Sequence, residues 1–419
     1  MACQPPRIPP MPTANETRNP MIIHAHALGQ APVDLWHLDA RERLHRMLDR
    51  IPGLRWCEDP SSLPADAQVL LLRADYLFEV RTLTAMAERR DTALRCPRDG
   101  RIAAIIAPAT QAQELLPVLA EGGSAADGLT VIEPDALGGF DRTLRRNEAP
   151  LLEPITAENR SQLENRLYGN AYKGITDLVT KWLWPHPARH GVRLCARLDI
   201  SPNMVTGFGF LLMLAASVLF LNGHYALGLA LGWLMTYLDT VDGKLARVTV
   251  RSSRFGHVLD HGMDLLHPPF WYVFWGMSLT DFQPVLGLDQ NALYWLIGAG
   301  YVLGRLIEGA FDHILRCSVF IWRPFDAYFR LITARRNPCL ILLTAGLALG
   351  RPDWGFVAVA GWTAATTAVL AVRLLQGFWH RARHGRLRSW LADENRARAE
   401  HPRAFATFSG TRAAYANAD

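Results

Sequence analysis

Between positions 239 and 264 stand four aspartates, Asp239, Asp242, Asp260 and Asp264, flanked by segments apolar enough to cross a bilayer. Ionised side chains at membrane depth are costly, so they persist where they pair, bind an ion or do chemistry. Asp239, Asp242 and Ala246 lie at i, i+3 and i+7, on one face of a helix end, and Gly256, Asp260 and Asp264 lie at i, i+4 and i+8 on another. Two antiparallel neighbours bring these faces together. Carboxylates so gathered repel one another and raise each other's pKa, a conflict that divalent cations resolve. An oxygen-only donor set suits Mg²⁺ or Mn²⁺, which commonly complete their shells with phosphate oxygens. Gly243, Ala246 and Gly256 leave room for a ligand to approach backbone, and the planar fork of Arg247 can pair with a phosphate. The chemistry implied is metal-dependent handling of a phosphate at a membrane surface.

The elements that must position these residues are apolar runs. Spans of about 20 residues are needed to cross the hydrocarbon, and about six candidates follow one another at 204–222, 225–241, 257–280, 291–311, 338–350 and 354–375. The connections near Asn222 and between Thr280 and Asn291 carry no Lys or Arg, and the one near Gly350 carries only Arg351. The opposite connections hold Lys244, Arg247, Arg251 and Arg254, then Arg316, Arg323, Arg330, Arg335 and Arg336, then Arg381, Arg383, Arg386 and Arg388. By the positive-inside rule these basic loops, both termini and the aspartates are cytoplasmic. Just upstream, Leu163, Leu167, Ala171, Ile175, Leu178 and Trp182 recur at helical spacing. They predict an amphipathic interfacial helix over 160–185 that ends in tryptophans.

The chain has 419 residues, half of them apolar, with a formal net charge of +5. In a membrane protein that excess reflects basic loops, and no aromatic–basic motif for nucleic acid accompanies it. Cys3, Cys57, Cys96, Cys195, Cys317 and Cys339 show no zinc spacing and suit a reducing compartment. Residues 1–20 are rich in proline and polar side chains and read as a disordered lead-in. Residues 21–150 alternate short apolar runs such as "QVLLLRAD" with helical patterns such as "DARERLHRML", the pattern of a soluble α/β domain with a mostly parallel sheet. The expected architecture is therefore this domain, the interfacial helix, a multi-pass α-helical membrane domain over 200–378 and a basic cytoplasmic tail over 379–419.

The stretch "DTVDGKLARVTVRSSRFGHVLDHGMD" matches D-x-x-D-G-x-x-A-R-x8-G-x-x-x-D-x-x-x-D at every fixed position. It resembles the signature of the CDP-alcohol phosphatidyltransferase family, and "ISPNMVTG" is similar to that family's Pro-Asn-x-x-Thr at the first span. The resemblance covers roughly residues 160–376. It implies an enzyme of phospholipid synthesis: a CDP-linked alcohol, CDP-diacylglycerol for choice, gives its substituted phosphate to the hydroxyl of a second alcohol or lipid, and CMP leaves. It implies that Asp239, Asp242, Asp260 and Asp264 hold Mg²⁺ or Mn²⁺ and that Asp264 is also the general base. Asp242, Gly243, Ala246, Arg247 and Gly256 would line the CDP pocket, with Asn203 and Thr206 in support. It further implies an inner (cytoplasmic) membrane setting and leaves a homodimer open.

The alternatives are headgroup transfer from a soluble CDP-alcohol to a lipid hydroxyl or, outside enzymes, an ion-coupled transporter. A transporter would not require the Gly, Ala and Arg positions as well. Pro268 and Pro269 are expected to break the third span's ladder and kink it. His267 either faces the site or fills space beside that kink. Arg305 and Glu308, at i and i+3, either pair with each other or reach a substrate headgroup. The first domain resembles, more weakly, a sugar-nucleotide-transferase fold, with Asp75 at the metal aspartate. Only Gly29 stands where that fold has a glycine-rich loop, which implies a degenerate relative without activity.

Overall fold

The computed structural model describes residues 22–123, 128–137, 140–141, 146–147, 150–171, 174–251, 254–280 and 282–408, without the side chains of 140–141, 146–147, 254–255, 257 and 259–261. The expected lead-in over 1–20 and the side chain of Asp260 lie outside the described residues.

The first domain is an α/β sheet. Its strands are β1 (Ile23–Leu28), β2 (Leu54–Trp56), β3 (Gln68–Arg73), β4 (Tyr76–Leu77), β5 (Thr92–Arg95), β6 (Ile102–Pro108) and β7 (Thr130–Ile132). The six-stranded sheet has the order β2-β1-β3-β6-β5-β7. Strand β1 runs parallel to β2 and β3, β5 runs parallel to β7, and β6 is antiparallel to both neighbours. The centre of β3, Val69 to Leu72, is fully buried, as an apolar run covered on both faces must be. Helices α1 (Ala40–Leu48), α2 (Val80–Ala87) and α3 (Ala112–Glu121) supply that cover. A small hairpin joins β8 (Phe140–Asp141) to β9 (Arg146–Asn147), and β10 (Glu153–Pro154) pairs with β4 on the way out.

The amphipathic helix expected over 160–185 is instead interrupted. It forms α4 (Arg160–Asn170), one π-helical turn at Val179–Leu183, and α5 (Pro185–Arg197). Asp177 starts the new turn by accepting from the Val179 and Thr180 amides at 3.1 and 3.0 Å, and Pro185, which has no N–H to give, opens α5. Ala171, Ile175 and Val179 face inward and are buried, whereas Trp182 is 56% exposed.

Helices occupy each of the six expected spans: α6 (Pro202–Leu221), α7 (Tyr225–Val248), α8 (Arg254–Met277), α9 (Gln290–His313), then, after the short α10 (Val319–Trp322) and α11 (Pro324–Ile332), α12 (Arg336–Ala348) and α13 (Pro352–His384). Among the described residues, α6 and α13 are long and apolar enough to cross a membrane, with mean hydropathies of 2.3 and 1.7. Only 33% and 44% of those stretches is buried inside the protein, so most of their apolar surface faces outward. Ser201 caps α6 at the Met204 amide and Pro202 follows at the first helical position. Helix α6 packs along α7 and α8, α9 along α13, and α12 against α13 and α7. Where α12 meets α13, a Cβ on Gly346 would lie 2.6 Å from the backbone of Gly355, so glycine is required at this crossing. The aromatic core of the bundle holds Phe220, Trp271, Trp275 and Phe356. Helix α8 continues through Pro268 and Pro269 to Met277, so the ladder donors that these prolines remove do not end the helix.

The residues after α13 fold back. Helices α14 (Glu394–Glu400) and α15 (Pro402–Phe408) bury Ala397, Phe405 and Phe408 against Phe311, Leu315 and Trp322.

Candidate active site

Where the inner ends of α7, α8, α9 and α12 converge, a cavity of about 440 Å³ opens. One wall carries Asp239, Gly243 and Arg247 from α7 and Asp264 from α8. Of the four aspartates, Asp239 and Asp264 face this one space. Gly243 leaves room for its neighbour, because a Cβ there would stand 3.1 Å from the Arg247 guanidinium. Asp242 is turned from the cavity and buried, and the Thr206 hydroxyl donates to it at 2.6 Å. That bond ties α6 to α7. Asn203, Ala246 and Gly256 are not among the residues that line the cavity, and Asn203 is exposed.

The far wall was not legible as part of the site. Arg336, at the start of α12, places its guanidinium between Asp264 and Asp239 and donates to each at 2.5 Å. Beside it Glu308 accepts from Arg305 at 2.5 Å and also from Arg335. The i, i+3 pair is therefore real, but it belongs to a three-residue cluster with Arg335 that lines the cavity. Arg330 lines it too, with Asp177 and Asn337 nearby. Asn337 donates to Asp177 at 2.9 Å, and the Thr180 hydroxyl does so at the same distance. Burial alone would raise the Asp177 pKa, but the charge of Arg330 and these hydrogen bonds outweigh it and hold the carboxyl below its usual value.

Two further side chains complete the surroundings. Lys244, an unconstrained position of the motif, is buried; its ammonium donates to the Tyr168 carbonyl at 3.1 Å and sits 3.8 Å from the Tyr168 ring centroid. His267 does not line the cavity. It is buried against Trp271 with Nδ1 donating to the Met263 carbonyl at 2.6 Å, so it fills space within α8 and between helices. No single sequence signal marks Arg336 or Asn337; they sit among loop cations and meet their partners across 72 to 160 residues.

Chemically, the lining sets Lys244, Arg247, Arg305, Arg330, Arg335 and Arg336 against Asp177, Asp239, Asp264 and Glu308. The surplus of cations favours an anionic ligand. Among the described residues no three His, Cys, Asp or Glu side chains form a metal-binding group. The donors that face each other are nonetheless carboxylate oxygens, and the space between Asp239 and Asp264 is one that a positive charge already fills. Oxygen donors around a cation-filled gap fit a divalent ion.

The model of the CDP-alcohol phosphatidyltransferase family matches residues 199–310. The chain is 43% identical over 72 residues to an archaetidylinositol phosphate synthase of Pyrococcus horikoshii, which covers 17% of this chain and 38% of that one. It is 29% identical over 167 residues to a probable cardiolipin synthase (CMP-forming) of Drosophila melanogaster, covering 37% and 48%. It is 32% identical over 130 residues to choline/ethanolaminephosphotransferase 1 of Arabidopsis thaliana, covering 28% and 32%. The chain thus spans less than half the length of each of these curated relatives.

Proposed function

We propose, from the match of residues 199–310 to the model of the CDP-alcohol phosphatidyltransferase family, that the protein is a membrane-embedded phospholipid synthase that transfers a substituted phosphate from a CDP-linked alcohol to the hydroxyl of a second alcohol. The observation that carries this reading is the shared cavity, in which Asp239, Gly243, Arg247 and Asp264 of the motif face the arginines of α9 and α12. In the reaction the acceptor oxygen forms a bond to the phosphorus of the transferred group. The phosphoanhydride bond breaks, and its electron pair leaves with CMP. Asp264 takes the hydroxyl proton. Gly243 lets the diphosphate approach the backbone of α7, and Arg247, with its forked donors, pairs with a phosphate oxygen. Asp242, held by Thr206, keeps the inner end of α7 registered against α6.

Asp239, Asp242, Asp260 and Asp264 would hold Mg²⁺ or Mn²⁺, whose contribution when bound is to neutralise charge on the diphosphate. The donor is CDP-diacylglycerol in this reading, and a soluble CDP-alcohol is the second candidate because one relative is a choline/ethanolaminephosphotransferase. Membranes containing the protein, given each radiolabelled CDP-alcohol with a panel of acceptors, are expected to release CMP and form one lipid product, and to stop when the divalent ions are chelated. Full-rate release in chelator would sink the metal assignment, and no release with any donor would sink the transfer itself.

The α/β domain is, in this reading, an inactive nucleotidyltransferase relative. Only Gly29 stands where such a domain needs backbone amides to cradle a triphosphate, and Asp75 pairs with Arg73 through bonds of 3.0 and 2.6 Å. The same membranes given CTP and phosphorylated alcohols should accordingly release no pyrophosphate, and metal-dependent release would make the protein bifunctional.

For the membrane arrangement the reading is an inner (cytoplasmic) membrane, about six spans, and both termini with the cavity on the cytoplasmic side, as basic loops require. In a chain stripped of its native cysteines, a cysteine at Gln283 should be labelled from outside and one at Arg251 should not. The reverse pattern would invert the topology.

A further inference from the structure

Helix α8 carries an unusual sequence one turn past Asp264. In a continuous helix the Asp264 carbonyl accepts from the amide of residue 268, but Pro268 has no N–H. A carbonyl left without a donor beside a helix interior is destabilising, and the segment around it is freed to bend. The missing donor comes from another helix: the Tyr301 hydroxyl of α9 donates to the Asp264 carbonyl at 3.3 Å. The α8 backbone at Asp264 is therefore held by a side chain of α9 at the carbonyl whose ladder donor Pro268 removes, and Tyr301 lines the same cavity as the Asp264 carboxylate.

We infer that Tyr301 is a positioning residue that fixes Asp264 by supplying, from α9, the hydrogen bond that Pro268 withholds. The inference rests on the proposed transfer only in making Asp264 the group whose placement matters. Tyrosine is needed for its hydroxyl, since the ring also lies 5.4 Å from the Arg305 guanidinium, a contact that phenylalanine would keep. The proline has a purpose in this arrangement. It opens the ladder at one carbonyl, so that the aspartate is set by the distance between α8 and α9 and not by α8 alone.

The test is a cycle of four full-length proteins: wild type, Tyr301→Phe, Pro268→Ala and the double variant, each measured for kcat, KM and thermal midpoint in detergent. Pro268→Ala returns an N–H to the ladder and makes the tyrosine hydroxyl redundant. Tyr301→Phe is expected to lower kcat about tenfold, the loss of one hydrogen bond to a group at the reacting centre, with KM for the CDP-alcohol within about twofold. In the Pro268→Ala background the same change should cost less than about threefold, and its effect on the thermal midpoint should shrink in parallel. Equal losses in both backgrounds, or no loss from Tyr301→Phe, would overturn the inference. The midpoint cycle reads the hydrogen bond without turnover. A wild type that releases no CMP would therefore fell the proposed transfer, while coupling or additivity of the midpoints still decides whether Tyr301 holds Asp264.

Discussion

Asp264→Asn should lower CMP release by roughly 10³-fold or more while the protein stays folded and membrane-inserted. A positioned general base contributes roughly 10²- to 10⁴-fold, and an amide neither accepts a proton at neutral pH nor supplies the charge that a cation needs. Asparagine keeps the shape of the side chain, so the loss is chemical. Its effect on stability should be small, because the Asp264 carboxylate is 47% exposed and Arg336 keeps its second partner, Asp239. An exposed ion pair of this kind contributes at most about 1 kcal/mol. The measurement is initial-rate CMP release by purified variant, beside its yield and thermal midpoint. Near-normal turnover with the cognate pair of alcohols would remove Asp264 from the chemistry and leave Arg336 as its only business.

What could be read in advance follows from which contacts are local. Asp239, Gly243 and Arg247 share a helix face because 3.6 residues make a turn, so their placement is implicit in spacing. The apolar runs mark α6 to α9 for the same reason. Arg336 is of another kind. Its bonds reach 97 residues back to Asp239 and 72 to Asp264, and nothing within α12 distinguishes it from Arg335 beside it. Lys244 was hidden by its neighbourhood: as an unconstrained letter in the motif it reads as a loop cation, yet burial over Tyr168 makes it a strut between α4 and α7. The break in the interfacial helix was missed because periodicity is blind to caps. Leu163 through Trp182 keep helical spacing, but Asp177 restarts the chain between them and Pro185 opens another helix just beyond. Pro268 opens the ladder as its chemistry dictates, yet α8 runs on through it. A proline removes one donor and need not end a helix when another element, here α9, can return it.

Arg43→Ala should destabilise the protein by about 2–4 kcal/mol and loosen the inner end of α7, because two charge-assisted hydrogen bonds disappear and leave buried carbonyls behind. The last carbonyls of any helix lack intrahelical donors, and its C-terminus favours a cation. On α7 both needs are met from the α/β domain. Arg43 donates to the Val248 carbonyl at 2.7 Å and to Leu35 at 2.9 Å, and Arg46 donates to the Thr249 carbonyl at 3.0 Å. Next in the chain Val250 takes a left-handed backbone conformation, with φ of 52°, and seats its side chain in the α/β core beside Leu44 and Met47. Arg43 is only 3% exposed. Burial, aided by Arg46, pulls its pKa down to about 10, which still leaves it charged at neutral pH. Since Lys244 and Arg247 occupy the last turns of α7, a frayed end reaches the cavity directly. Amide hydrogen exchange over 245–250 should speed up by about tenfold or more, the response to losing a cap worth over 1.4 kcal/mol. Arg43→Lys should recover only part of this, because a single ammonium lacks the fork that spans Val248 and Leu35. If exchange and midpoint match wild type, the α/β domain is merely tethered to the membrane helices. If they fall as expected, it serves as the cap of the helix that carries the motif.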